Sequence, residues 1–176
     1  MILGMSVPTF TLVHVIISLI AIVTGIVVVT AMGNNKKLAG WTGVFLLTTV
    51  LTSVTGFLFP LTKIGPPHIF GAVSLVVLVP TIAGLYQFHL AGAWRPVYVL
   101  GSIFTLWLNL VVLVVQSFQK ISFLNPLAPT QSSEPAFVGT QLVVLAWVIW
   151  AGIRAVKRFH PAVASSGTAI SGVSTQ

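Results

Sequence analysis

The sequence predicts an all-α integral membrane protein in which five transmembrane helices form a bundle, and two observations support this prediction. The chain has 176 residues, of which 56% are hydrophobic and only 5% are charged. Soluble domains carry about 25% charged residues, so this chain has too few polar side chains to cover a surface that faces water. In addition, five apolar segments are each long enough to cross the hydrocarbon core, which takes about 20 residues.

The predicted spans follow from the positions of these apolar segments. They cover residues 7–32, 41–62, 67–88, 95–117 and 137–157. We expect each to be helical because backbone polar groups in hydrocarbon must be satisfied within the segment. Polar or basic turns separate the segments, namely GNNKK (33–37), KIGPP (63–67), HLAGAWRP (89–96) and a longer connection that contains NPLAPTQSSEP. The bundle then occupies residues 1–160, and the small polar residues of 161–176 predict a disordered cytoplasmic tail.

The basic residues between the spans predict the orientation of the chain. With the N-terminus outside, the cytoplasmic side carries six of the eight Lys and Arg, namely Lys36, Lys37, Arg95, Arg154, Lys157 and Arg158. Only Lys63 and Lys120 then lie on the outer side. This asymmetry satisfies the positive-inside rule, whereas the opposite orientation would place most of the positive charge outside. We therefore expect the N-terminus outside and the C-terminus in the cytoplasm.

The composition excludes several functional classes. The net charge of +7 arises because Glu134 is the only acidic residue, and a single carboxylate cannot form a general acid/base pair. The absence of cysteine excludes disulfides, iron–sulfur clusters and thiolate metal sites. No phosphate-binding loop, Ser–His–Asp set or zinc-binding spacing occurs, and the basic residues do not alternate with aromatics as in nucleic-acid-binding proteins. The sequence thus favours a non-enzymatic protein whose first partner is the lipid bilayer, without nucleic acid.

Polar residues in the outer half of the spans are the candidate ligand-binding residues. At 1.5 Å per helical residue, His14, Thr55, Thr52 and Asn109 fall roughly 9–13 Å below the outer face. The complete candidate set is His14, Ser18, Thr52, Thr55, Asn109, Gln116 and Gln141. Two interpretations stay open: interhelical hydrogen bonds that stabilise the bundle, or a ligand-binding site. Ser18, Ala21 and Gly25 continue the face of His14, which predicts a seam against neighbouring helices.

Two histidines also raise the question of a cofactor. Histidine binds haem iron, hydrogen-bonds quinones and relays protons. His14 and His68 are the candidate ligands for a b-type haem, but His68 opens the third span and lies about 8–10 Å shallower than His14. We therefore expect no cofactor as the first hypothesis, with b-type haem as the alternative.

Three functions remain open at this point. The first is a non-enzymatic accessory subunit, or a small bundle that binds an apolar molecule in its outer half. The second is a membrane redox protein in which His14 and His68 hold haem or position a quinone. The third is a small transporter or proton pathway, which is disfavoured because the inner half of the spans has few polar residues beyond Thr30 and Gln87. A membrane-protein partner or a homo-oligomer is compatible with each.

In three features the chain resembles small bacterial multi-pass membrane proteins whose domains have no known function. These features are His14 in the first span, LAGWTGVFLLTTVLTSVTG (38–56) in the second, and HLAGAWR (89–95) after the third. Some relatives of this shape carry a His–Arg pair before the second span and resemble b-type haem bundles. This chain has Asn35, Lys36 and Lys37 there, which do not supply that histidine. The resemblance implies a bacterial inner-membrane protein and assigns no activity.

Overall fold

The computed structural model describes residues 2–59, 66–131 and 133–161, and these form a bundle of helices. The elements are α1 (Val7–Met32), α2 (Ala39–Phe57), α3 (Pro66–Tyr86), α4 (Trp94–Lys120) and α5 (Pro135–Arg158), with a 3₁₀ turn at Asn125–Leu127. Five helices are long and apolar enough to cross a membrane, and the described ranges contain no β-strand. The predicted all-α fold with five helices of membrane-spanning length is thus confirmed for the described residues. The predicted tail beyond residue 161 and Lys63 lie outside the described residues.

The helix ends follow from local sequence signals. Ser6 caps α1, because its Oγ accepts a hydrogen bond from the Thr9 amide at 3.3 Å, and Pro8 stands in the first turn. The bounds of α1 agree with the prediction. In contrast, α2 ends at Phe57 and not at residue 62. The residues after Phe57 are still apolar, but Pro60 disfavours helical conformation in the residue before it.

Helix α4 lies at the centre of the bundle. It packs against α1, α3 and α5, whereas α2 packs between α1 and α3. As a result, α4 is the most buried of the five helices and α5 is the least buried. Helices α3 and α5 both pack on α4, and part of the α4 surface stays open between them.

Two glycines allow the closest helix contacts. A Cβ atom at Gly25 of α1 would lie 2.7 Å from the Phe45 ring and 2.8 Å from Leu106, so α1 packs tightly against α2 and α4 there. A Cβ atom at Gly101 of α4 would overlap the Thr81 hydroxyl of α3. The first contact confirms the seam predicted along α1.

One end of the bundle carries most of the charge, and we name it the basic end. It consists of loop 33–38, loop 87–93, the start of α4 and the end of α5. The opposite end contains the starts of α1 and α5, the ends of α2 and α4, and loop 121–134. In this loop Ala128 is completely buried near Phe118 and Val114, so the loop folds back over α4.

Candidate functional site

His14 ties α1 to α2 near the opposite end. Its Nδ1 lies 2.7 Å from the Oγ1 of Thr55. The Thr55 hydroxyl is also 2.7 Å from the Leu51 carbonyl of its own helix, to which it donates its only hydrogen. His14 Nδ1 is therefore the donor in the pair, and its Nε2 carries the lone pair. The Phe59 ring meets the imidazole edge-on with the ring centres 5.3 Å apart, which fixes its orientation.

Two other predicted residues lie close to this pair without joining it. Ser18 donates its hydroxyl to the His14 carbonyl at 2.7 Å, a bond within α1. Thr52 buries its Oγ1 without a hydrogen-bond partner among the described residues. The polar group that reaches across from α1 to α2 is thus the His14 imidazole, and Ser18 is satisfied by its own helix.

Asn109 does not share the level of His14. Leu106 of α4 packs at Gly25 of α1, and both helices continue from there toward the opposite end. Asn109 lies ~4.5 Å beyond Leu106, whereas His14 lies ~16.5 Å beyond Gly25. The two side chains are therefore separated by about 12 Å along the bundle axis. By this estimate the predicted polar layer is spread over two levels, mainly because α1 and α4 are offset along the bundle axis. The C-terminal end of α4 lies only three residues, about 4.5 Å, beyond the predicted one.

The two glutamines lie on different elements. Gln141 of α5 donates from Nε2 to the Val111 carbonyl of α4 at 3.4 Å, a long and weak contact. Gln116 is exposed at the end of α4. Neither side chain contacts His14 through a hydrogen bond in the described residues, so the structure does not gather all seven candidates into one site.

His68 lies on the other side of α2. Its ring centre is 6.1 Å from that of Phe57, while His14 approaches Thr55 and Gly56. Helix α2 packs between α1 and α3, which carry the two histidines. In the described residues, no group of three or more His, Cys, Asp or Glu is placed to hold a metal ion.

Hydroxyl groups in the bundle interior were missed by the sequence analysis. Tyr98, Ser102 and Thr105 of α4 are at most 2% exposed and recur on one face at helical spacing. Buried hydroxyls on α2 and α3 face the interior as well, namely Thr42, Thr49, Ser53, Ser74 and Thr81. The inner half is therefore less apolar than predicted. The helical spacing of Tyr98, Ser102 and Thr105 was the sequence signal for this cluster. The prediction compared the depths of polar residues in the membrane and did not compare the helix faces on which they lie.

Half of these eight interior hydroxyls, namely those of Thr49, Ser53, Thr81 and Thr105, donate to carbonyls of their own helices. Thr49 donates to the Phe45 carbonyl at 2.7 Å, Thr81 to Val77 at 2.7 Å, and Thr105 to Gly101 at 2.9 Å. Such bonds let a hydroxyl sit in an apolar core without a partner on another helix. By contrast, Ser74 Oγ and Asn109 Nδ2 are buried without a partner in the described part of the chain.

Two arginines organise the basic end. Arg95 of α4 donates from Nη1 to the Phe159 carbonyl at 2.8 Å and to His160 Nε2 at 2.7 Å. The amide of His160 donates to Asn35 Oδ1 at 2.8 Å. Arg154 of α5 donates to the Gly33 carbonyl at 3.2 Å and to Asn34 at 3.0 Å. These contacts join the first loop, the start of α4 and the end of α5.

An apolar groove opens between α3, α4 and α5 on the outside of the bundle. It has a volume of about 570 Å³, and every residue that lines it is apolar or glycine. The walls and floor include Val77 of α3, Leu100, Phe104 and Trp107 of α4, and Leu145 and Val148 of α5. Phe104 and Trp107 lie in contact, with their ring centres 5.6 Å apart.

The fold fits a helical multi-pass membrane protein. The assignment rests on five apolar helices of spanning length, packed around a central α4. No family model, curated protein or solved structure matches the chain. The functional argument therefore depends on the geometry of this molecule.

Proposed function

We propose that this protein is a non-enzymatic membrane protein that binds an apolar molecule in the groove between α3, α4 and α5. The groove itself carries the proposal. Its volume of about 570 Å³ is within the range of small-molecule sites, which extends from about 300 to 1,000 Å³. Its lining has no charged, amide or hydroxyl side chain, so the part of the ligand that it accepts is a hydrocarbon chain or an apolar ring.

The polar residues near His14 support the choice of the groove as the binding site, because their hydroxyl groups already form hydrogen bonds within the protein. The Thr55 hydroxyl is used by Leu51 and His14, and the Ser18 hydroxyl by the His14 carbonyl. Hydrogen bonds of this kind stabilise the contact between α1 and α2. In this proposal His14, Ser18 and Thr55 stabilise the bundle, and the ligand binds in the groove. The proposed binding site therefore differs from the polar layer that the sequence predicts.

We further propose that the protein lies in a bacterial inner membrane with the basic end in the cytoplasm. The six Lys and Arg of the predicted cytoplasmic side belong to loop 33–38, the start of α4 and the end of α5. The positive-inside rule places such an end on the cytoplasmic side. The N-terminus is then periplasmic, and an accessory role beside a membrane-protein partner is compatible with the open groove.

A photoactivatable alkyl probe tests the groove. The protein is reconstituted in nanodiscs with a diazirine-bearing fatty acid, irradiated, and digested for mass spectrometry. We expect adducts concentrated on Leu100, Phe104 and Trp107. The variant Val77→Phe/Leu145→Phe narrows the groove, and we expect it to lose most of this labelling.

A matched variant controls for general lipid contact. Val79→Phe/Leu142→Phe adds the same two rings on α3 and α5 at positions that are 70% and 59% exposed and outside the groove. We expect it to label like the native protein. Adducts spread evenly over the exposed apolar residues in all three proteins contradict the proposal.

The redox alternative has its own test. His14 Nδ1 pairs with Thr55, and α2 packs between the helices that carry His14 and His68. We expect a colourless protein, with the same visible spectrum before and after dithionite and after supplying haem. A Soret band that disappears in His14→Ala contradicts the non-enzymatic proposal and favours a haem protein.

A further inference from the structure

The basic end carries charge that the protein itself does not neutralise. Six Lys and Arg lie in its loops and helix ends, whereas Glu134, the only acidic side chain of the sequence, immediately precedes α5 at the opposite end. The distance between the two ends spans the length of the helices. In the part of the chain that the structure describes, no acidic side chain therefore lies at the basic end to neutralise these cations.

Arg95 is fixed in place by backbone carbonyls and not by an acid. Its Nη1 donates to the Phe159 carbonyl at 2.8 Å, at the C-terminal end of α5. The same nitrogen donates to His160 Nε2 at 2.7 Å, since a guanidinium group has no acceptor. The carbonyl end of a helix favours a cation through its partial negative charge, but it leaves the full charge of Arg95 in place.

The other edge of Arg95 is available. Among the described residues, neither Nε nor Nη2 of Arg95 makes a hydrogen bond, and the side chain is partly exposed. These two nitrogens form the edge with which arginine grips two oxygens of one phosphate. Arg154 differs, because its Nε and Nη2 are already used by Gly33 and Asn34.

Aromatic residues place this edge near the level of lipid headgroups. Trp41 stands in the first turn of α2 and is 49% exposed, and Tyr86 ends α3 and is 55% exposed. Both belong to the ends of helices at the basic end. Exposed Trp and Tyr at helix ends mark the boundary between hydrocarbon and headgroups, so Arg95 at the start of α4 lies at a similar height.

We infer that the basic end binds the phosphate of anionic phospholipids, with the Nε–Nη2 edge of Arg95 as the receptor. The neighbouring cations on loop 33–38 and at the end of α5 select a lipid with net negative charge over a zwitterionic one, which carries its own ammonium group. This site is separate from the apolar groove, so it stands whether or not the groove binds a ligand.

Lipid binding to the purified protein tests this inference. Native mass spectrometry in detergent measures binding of phosphatidylglycerol and phosphatidylcholine with identical acyl chains. We expect tighter binding of phosphatidylglycerol, weakened about tenfold in Arg95→Gln. Arg95→Lys keeps the charge without the two-pronged edge, and we expect an intermediate loss. Equal binding of the two lipids by the native protein overturns the inference.

Further variants separate local recognition from global charge and from misfolding. Lys120→Gln removes one positive charge at the opposite end, and we expect it to bind phosphatidylglycerol as the native protein does. Lys36→Gln/Lys37→Gln leaves the contacts of Arg95 intact, and we expect weaker binding; it provides the test if Arg95→Gln does not fold. A loss in Lys120→Gln as large as in these variants overturns the inference.

The source of the phosphate is tested with inorganic phosphate. At matched concentration in the same detergent, we expect it to leave the thermal unfolding temperature unchanged, while phosphatidylglycerol raises it and phosphatidylcholine does not. The effect of the lipid should shrink at high salt, since screening weakens exposed charge pairs. An equal rise with inorganic phosphate overturns the assignment to a lipid.

Discussion

His14 Nδ1 and Thr55 Oγ1 lie 2.7 Å apart and connect the first two helices of the bundle. The imidazole is half-buried, and the Thr55 hydroxyl already donates to Leu51. The histidine in a largely apolar helix is thus explained by a single neighbour on α2. Its role in this arrangement is to donate a hydrogen bond in a region where water is scarce.

Thr55→Val is expected to destabilise the protein because it keeps the shape of the side chain and removes the acceptor. Interhelical hydrogen bonds in membranes contribute about 1 kcal/mol, which corresponds to a fall of about 2–4 °C in unfolding temperature for a chain of this size. Thermal unfolding in detergent measures it. Thr140→Val is the control, since Thr140 is exposed and bonds its own helix. An unchanged unfolding temperature in Thr55→Val contradicts the tie.

Gly101→Ala is expected to lower stability by about 1–3 kcal/mol, because overpacking forces adjacent helices apart. The new Cβ would overlap the Thr81 hydroxyl where α3 meets α4. Gly139→Ala is the matched control on α5, where a Cβ meets nothing within 4 Å. We expect the control to be neutral or slightly more stable, since alanine favours helix. Equal effects of the two substitutions would show that α3 moves freely.

Asn109→Leu distinguishes an Asn109 that forms an interhelical hydrogen bond, as the sequence suggests, from the unpaired Asn109 amide nitrogen that the structure shows among the described residues. If Asn109 were an interhelical tie, the substitution would lower the unfolding temperature by several degrees. In the structure Asn109 Nδ2 is buried without a partner in the described residues. Replacing an unpaired buried polar group with an apolar one is neutral or stabilising, so we expect no fall in unfolding temperature. A fall like that of Thr55→Val would mean that the amide does have a partner.

The proposed orientation is testable by labelling, because the sequence contains no cysteine. Single substitutions Lys36→Cys and Ser133→Cys place one thiol in the loop at each end of the bundle. We expect a membrane-impermeant maleimide to label Ser133→Cys in intact spheroplasts, and Lys36→Cys only after permeabilisation. Labelling in the reverse order would place the N-terminus in the cytoplasm.

The number of helices and the start of α1 were predictable from the sequence because they depend on local signals. A long apolar run, Ser6 as a cap and Pro8 in the first turn determine where α1 begins. The end of α2 was predicted too late, since hydropathy continues past Phe57 while backbone geometry changes before Pro60. Hydropathy describes only the side chains, whereas the end of α2 is determined by the backbone conformation before Pro60.

The sites were less predictable because they depend on how the helices are offset along the bundle. The contact of His14 with Thr55 agrees with their estimated depths. Asn109 lies at another level chiefly because of the offset between α1 and α4, since the end of α4 differs from the prediction by only three residues, about 4.5 Å. The contacts of Arg95 with Phe159 join positions far apart in the sequence, and no local pattern indicates them.

Arg154 bonds the Gly33 carbonyl and the Asn34 side chain, which precede it by more than a hundred residues. During synthesis the first hairpin therefore leaves the ribosome long before the group that completes it. A chain truncated before α5 would leave the Gly33 carbonyl and the Asn34 side chain, in the turn between α1 and α2, without these hydrogen bonds from Arg154. Assembly of the basic end is thus completed only when the last helix has been made.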